Sequence, residues 1–348
     1  MNILSLFDGI SCARVACDRA GIKVKHYFAS EVDKYAIQVS DKNYPDIHRL
    51  GDVRNVSSNY IKGFHLVIGG SPCQDLSIAK KERKGLQGER SSLFYEFVRV
   101  VKEQLPKYFI LENVNSMSKE AKEIISHELF DIEPVMINAS LVSAQNRKRL
   151  FWVGVRDTSL LSGVTYRRVE ISQPEDRGIL LRDILESGEV DRVKSYAIDA
   201  NYHKGANWEQ YQTKKRRQLV RIGYLNSGAQ GDRIYSPDGK SVSLSANGGG
   251  RGAKTGLYAV PVALRNRGEG KRPEYNNTEK ANALTTVQTD SMVQEDIVIR
   301  KLTPIECERL QGLPDNYTEG ISNTQRYKCL GNAFNVDVVA HILKHLEV

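Results

Sequence analysis

Phe64-His65-Leu66-Val67-Ile68-Gly69-Gly70-Ser71-Pro72-Cys73-Gln74-Asp75-Leu76-Ser77 is the stretch from which the fold of this chain can be read. A short apolar run stopped by paired glycines predicts a buried strand. Pro72 stiffens the turn and presents Cys73 just past the strand's carboxyl end, where open α/β sheets bind their ligands. A free thiol has a pKa of about 8.5, so only a few per cent is thiolate near neutrality, yet its sulfur is intrinsically nucleophilic. A cysteine in that place can equally be a small buried hydrophobe.

Working outward, Tyr108-Phe109-Ile110-Leu111 predicts a second apolar strand, with Glu112 at its carboxyl end. A carboxyl there costs desolvation unless something holds it. It can serve as a proton donor, or merely cap the helix that follows. Gln145-Asn146-Arg147-Lys148-Arg149 precedes the apolar run Leu150–Val155. Arg147 and Arg149 are two apart, so on a strand they share a face and can hold a carboxylate and a carbonyl or phosphate oxygen together. A solvated basic edge is the plainer reading. Near the start, Asn2–Phe7 is apolar, and Asp8-Gly9-Ile10-Ser11 turns into a helix near Cys12. Backbone N–H groups at such a turn can receive a ligand carboxylate. Glu31 ends another strand about 20 residues on, the usual spacing of a ribose-binding acid.

Taken together and in this order, these segments resemble the DNA (cytosine-5-)-methyltransferase family, bacterial or phage type. The likeness runs from residue 3 to about 155 and again from about 300 to 340. It implies an α/β fold: a Rossmann-like S-adenosylmethionine-dependent methyltransferase sheet with a smaller β-rich target-recognition domain. It implies that Cys73 attacks C6 of a cytosine flipped out of double-stranded DNA, and that Glu112 protonates or hydrogen-bonds N3. Arg149 would hold O2 and help position Glu112, with Arg147 in support. C5 then takes a methyl group from S-adenosyl-L-methionine. For that cofactor the resemblance implies Phe7 near the adenine, with Asp8, Gly9 and Ser11 in the adjoining loop. Glu31, beside Val32, would bind the ribose hydroxyls. Asp52, beside Val53, would hold the adenine amino group. Pro72, Asn332 and Ala333 would complete the site. The family usually has glycine where this chain has Ser11, and more often serine at position 333. Three alternatives remain at this point: an enzyme of the same fold acting on tRNA, a non-catalytic DNA-binding relative, and a small-molecule methyltransferase.

The composition agrees. The 348 residues include 50 basic against 42 acidic side chains, a net charge of +8 that suits a polyanion partner. Five cysteines with no C-x-x-C pair predict free thiols in a reducing compartment and no zinc or other metal. No run approaches the roughly 20 apolar residues of a membrane span, and no basic region precedes the first apolar stretch as in a secretory signal. A cytoplasmic, DNA-associated monomer is expected. A cognate restriction endonuclease acting separately is compatible with this reading.

Strand and helix patterns alternate to about residue 155, as a parallel α/β sheet requires. Helices are predicted at Cys12–Ala20, Leu93–Gln104 and Val336–Leu346. Between Cys73 and Leu93 lies a basic loop with Lys80, Lys81, Arg83, Lys84 and Arg90. It reads either as a segment that closes over DNA or as ordinary solvated surface. From about 186 the apolar runs vanish. Asn226, Gly228, Tyr235, Lys240 and Leu244 recur forty residues later as Asn266, Gly268, Tyr275, Lys280 and Leu284. Residues 1–185 and 319–348 are therefore assigned to a catalytic, cofactor-binding domain. Residues 186–318 are assigned to a target-recognition domain with its repeat near 222–290. The cluster Lys214–Arg217 and Arg221, Arg233, Arg251, Arg265, Arg267 and Arg272 are its candidate DNA contacts, and Gly248–Gly252 a turn within it. Thr303 before Pro304 predicts a capped helix that Gly312 and Pro314 close.

Overall fold

The computed structural model describes residues 1–57, 62–71, 93–159, 164–188, 190–204, 211, 213–215, 217–224, 262–266, 271–275 and 297–347. Pro72, Cys73, the basic loop, Arg216, Arg233, the 248–252 turn, Arg251, Arg267 and most of the repeat lie outside them. Arg221, Arg265 and Arg272 are described by their backbone alone.

The central sheet is built from β1 (Asn2–Leu6), β2 (His26–Ser30), β3 (His48–Gly51), β4 (Leu66–Gly69), β5 (Tyr108–Val114), β6 (Val135–Asn138), β8 (Lys148–Asp157) and β9 (Thr165–Arg168). Their order is β3-β2-β1-β4-β5-β8-β6, with β9 also on β8. The first five are mutually parallel, whereas β8 runs antiparallel to β5, β6 and β9. The order reverses between β1 and β4, so a crevice forms outside the carboxyl ends of those strands.

Helices cover both faces: α1 (Cys12–Arg19), α2 (Lys34–Asn43), α3 (Leu93–Gln104) and α4 (Lys119–Glu128), then α5 (Pro304–Leu310), α6 (Asn323–Asn332) and α7 (Val336–Leu343) late in the chain. Leu4, Leu6, Val67, Phe109, Leu111 and Trp152 of the sheet pack on Phe94, Phe97, Val98 and Val101 of α3. Burial on both faces explains why these strands read as continuous apolar runs. Trp152 donates its indole N–H to Ser126 Oγ at 3.0 Å, so even this buried ring is satisfied. Helix α3 has the predicted bounds. Helix α1 stops one residue early, and α7 three residues early.

The chain divides into two compact units. One comprises Met1–Glu186, Asp191–Gln218 and Leu302–Val348; the other comprises Ser187–Val190 and Leu219–Lys301. These bounds differ from those read from composition, because 191–218 and 302–318 pack with the sheet. Polar, glycine-bearing sequence hides that packing. Tyr202 is 1 % exposed, accepts from Leu302 N at 3.0 Å, and its ring lies 5.6 Å from that of Tyr327. The second unit holds two antiparallel pairs. β11 (Leu219–Tyr224) pairs with β14 (Ile297–Lys301), and β12 (Val262–Asn266) with β13 (Lys271–Tyr275). Asn266 and Tyr275 of the repeat close β12 and β13. Two further strands, β7 (Gln145–Asn146) and β10 (Ser195–Tyr196), pair in parallel within the sheet unit. Among the described residues no helix is long and apolar enough to cross a membrane.

Helix α5 starts as its sequence requires. Thr303 Oγ1 accepts from Glu306 N at 3.1 Å, and Glu306 Oε2 accepts from Thr303 N at 2.8 Å. Such reciprocal capping satisfies two otherwise orphaned donors. Thr303→Ala should therefore cost about 1–2 kcal/mol, seen as a lower urea midpoint at an unchanged m-value.

Candidate active site

The loop after β1 is held from beneath. Asp8 is almost fully buried, accepts from Tyr27 OH at 2.8 Å and from Ser11 Oγ, and faces Arg49 Nη1 at 3.6 Å. Burial pushes its carboxyl above the ordinary range, against the pull of those hydrogen bonds and of Arg49. Ser11 has φ 60° and ψ 35°, the left-handed region that glycine enters freely. Its hydroxyl bonds Asp8 and Ser40, so side-chain hydrogen bonds compensate the backbone conformation. The departure from glycine thus has a local remedy. Phe7 is also left-handed, at φ 56°.

Glu31 joins this loop to the one after β2. Its Oε2 accepts from Gly9 N at 2.7 Å, and its Oε1 accepts from Val32 N and Asp33 N, each at 2.8 Å. Val32 is 69 % exposed, an apolar side chain standing at the rim. After β3, Asp52 accepts from Arg54 N and from Arg54 Nε, each at 3.0 Å. The Arg54 guanidinium holds the Asp52 carboxyl down at about 2. The Val53 side chain is buried in the core, so only its backbone is available to a ligand.

The second group lies at the ends of β4 and β5. Gly69 pairs with Leu111, so Gly70 sits beside Glu112. Strand β5 continues through Glu112 to Val114, two residues beyond the predicted carboxyl end, because β8 pairs with it there. Glu112 lies opposite Phe151 and Val114 opposite Arg149. Glu112 and Arg149 are thus diagonal neighbours, within reach for long side chains. Arg149 Nε meets Glu112 Oε1 at 2.9 Å. The adjacent Asn113 donates to Ser71 Oγ at 3.2 Å and ties the two strand ends together.

Arg147 does something different. It falls between β7 and β8, so the alternation of a strand does not govern it. Its buried guanidinium donates to Ile198 O at 3.1 Å, Gly331 O at 3.2 Å and Ala333 O at 2.9 Å. It positions the pocket wall, while Arg149 meets the carboxylate. Asn332 is exposed and Ala333 buried where α6 ends. A pocket opens here, lined by Glu112, Arg147, Arg149, Phe151, Phe334 and Asn335, among others.

Sequence reasoning missed Phe334, Asn335 and the 194–200 segment. Lys194 Nζ donates to Ser140 O at 2.7 Å and Ser143 O at 3.2 Å, and Ser195 N donates to Ala144 O at 2.8 Å, bracing the stretch that leads to Arg147. Gly331 is required by close packing: a Cβ there would lie 2.2 Å from the Asp199 carbonyl carbon. Only the glycine itself was visible in sequence. The four described cysteines are buried and free. Burial pushes the thiols of Cys17 and Cys329 up to about 12, and that of Cys12 higher, so these three are poor nucleophiles.

Comparison with known proteins agrees with this arrangement. The family model for C-5 cytosine-specific DNA methylase matches residues 1–347. The type II methyltransferase M.HhaI of Haemophilus parahaemolyticus is 28 % identical over 353 residues, covering 98 % of this chain and 93 % of its own. The orphan methyltransferase M.SPRI of Bacillus phage SPR is 26 % identical over 431 residues, covering 99 % and 97 %. Among solved structures, the Entamoeba histolytica methyltransferase EhMeth superposes with a TM-score of 0.59 at 14 % identity, over 99 % of this chain and 97 % of that one. At such identity this last likeness speaks for the fold, a Rossmann-like methyltransferase sheet.

Removing the Arg147 guanidinium would leave three carbonyls without their donor. Arg147→Met should lower stability by about 3 kcal/mol, and Gly331→Ala by about 1–3 kcal/mol through overpacking. Calorimetric unfolding of the purified variants measures both.

Proposed function

The chain belongs to the C-5 cytosine-specific DNA methylases, and from that premise we propose that it methylates C5 of a cytosine turned out of duplex DNA, through a covalent bond from Cys73 to C6. The observation that carries this reading is the Glu112–Arg149 pair, in a pocket at the carboxyl ends of β4 and β5. Cys73 follows Ser71 by two residues, a covalent reach of about 7 Å, and Ser71 is itself bonded to Asn113 beside Glu112.

The division of labour follows from the geometry. Arg149 engages Oε1 of Glu112, which leaves Oε2 for a ring nitrogen. With N3 of cytosine protonated or hydrogen-bonded by Glu112, C6 becomes electrophilic enough for the Cys73 thiolate to add. The electron pair moved to C5 by that addition makes C5 the nucleophile. Arg149 has donors to spare for the base's O2. Once C5 carries its methyl group, loss of the C5 proton and expulsion of Cys73 restore the aromatic ring and the thiolate. The target must leave the base stack, because neither face of a stacked cytosine is open to a thiol.

The strand-end loops suit S-adenosyl-L-methionine, which supplies an electrophilic methyl group. Glu31 keeps lone pairs for ribose hydroxyls after accepting three N–H groups. Val32 offers an exposed apolar contact for a nucleoside base, and Asp52 a carboxylate for its amino group. Phe7, Asp8 and Ser11 shape the loop from within, and Gly9 is fixed by Glu31. Pro72, Val53, Asn332 and Ala333 would complete the cofactor site, with Val53 acting through its backbone. The second compact unit, with its antiparallel pairs, is the part we assign to reading the DNA sequence. A separate restriction endonuclease fits this role, as for relatives named type II methyltransferases, and so does a solitary enzyme, as for those named orphan.

Expression in a host free of 5-methylcytosine should leave a short recurring methylated site in conversion sequencing, absent with Cys73→Ala. Glu112→Gln should lower the transfer rate by about 10²–10⁴-fold. Methylation that persists without Cys73 would sink the covalent scheme.

A further inference from the structure

Glu112 Oε2 has a neighbour that the proposed chemistry does not call on. A Cβ placed on Gly70 would lie 2.8 Å from Cε1 of Phe334, 3.2 Å from its Cζ and 3.1 Å from Glu112 Oε2. The ring edge and the carboxylate oxygen therefore crowd the same point, which only the missing side chain of residue 70 leaves free. Phe334 is 8 % exposed and borders the pocket with Glu112 and Arg149.

The backbone of Phe334 is held on both sides. Before it, Gly331 O and Ala333 O accept from Arg147. After it, Asn335 donates to Leu310 O at 3.0 Å and accepts from Val338 N at 3.1 Å, capping α7. The ring thus stands on a rigid support. Glu112 is equally constrained, since Arg149 fixes Oε1 at 2.9 Å. Rotation of the carboxyl would be the remaining freedom, and the ring edge and the Gly70 backbone limit it.

We propose that Phe334 and Gly70 act together as a steric gauge for Glu112, with Phe334 a positioning residue that presents Oε2 to the substrate ring. This rests on the proposed role of Glu112. A ring that merely filled space would affect stability; a gauge affects the rate, because a misplacement of about 1 Å at a reacting group costs about 100-fold. An apolar edge at this point also limits water around the oxygen that must serve the base.

Four proteins test this: wild type, Gly70→Ala, Phe334→Leu and the double variant, assayed for kcat and both KM values well below their unfolding midpoints. Gly70→Ala should lose about 100-fold in kcat, with the KM for S-adenosyl-L-methionine little changed. The double variant should recover at least about tenfold, because the smaller side chain vacates the point of conflict. A double variant no faster than Gly70→Ala overturns the gauge, as does Gly70→Ala turning over at the wild-type rate. If Gly70→Ala fails to fold, Phe334→Ala carries the test. Its kcat should fall at least about tenfold and Phe334→Leu should retain most of it; equal rates in all three overturn the proposal. A wild type inactive on DNA overturns the proposed function and this role with it, whereas an active wild type with independent variants overturns this role alone.

Discussion

The Arg147 guanidinium draws backbone from three stretches of chain to one buried point. Ile198, Gly331 and Ala333 each offer a carbonyl that the solvent cannot reach, and the arginine's rigid fork of donors satisfies all three. A buried charge is costly unless it is hydrogen-bonded, so neither partner set is stable without the other. This junction sets the wall of the pocket. It places β8, and with it Arg149, against the start of α7. The Lys194 brace, the β7–β10 pairing and the contact of Gly331 with Asp199 all converge on the same stretch.

Against that junction, the cofactor side of the molecule is organised by carboxylates. Glu31 receives N–H groups from two loops and turns separate strand ends into one surface. Asp8 works from below, buried among Tyr27, Ser11 and Arg49. The loop is thus shaped by side chains that point into the protein, and its outer face is left as backbone. That division explains how Ser11 can stand where glycine is usual. Its hydroxyl belongs to the interior network, and its backbone does what the loop requires.

How much of this could be read in advance depended on the range of the interaction concerned. The apolar runs at Phe64–Ile68 and Tyr108–Leu111, the alternation of elements and the bounds of α3 are local, and local pattern predicts them. The placement of Glu112 beside Gly70 also follows, because both terminate adjacent parallel strands. Arg147 and Arg149 mark the limit. Two-residue spacing places them on one face only if the strand is continuous, and the interruption at residue 147 sends one to the pocket wall and the other to Glu112. The boundary at 186 was misplaced for a similar reason. Residues 191–218 and 302–318 carry few apolar runs, and their attachment to the sheet is made by hydrogen bonds and by aromatic pairs such as Tyr202 with Tyr327. Composition does not record such partners. Phe334 and Asn335 were invisible because their significance depends on what faces them across the fold.

The distance in sequence across the Arg147 junction carries a consequence for biosynthesis. Gly331 lies 184 residues beyond Arg147. At about 5–20 residues per second, the ribosome needs roughly 10–40 s to supply the carbonyls that the arginine awaits. For that interval the sheet's first strands have emerged while a cation destined for the interior has no cage. The nascent chain must stay hydrated there, and the pocket closes only when the late helices arrive. Catalytic competence is therefore deferred until the late segment has been made.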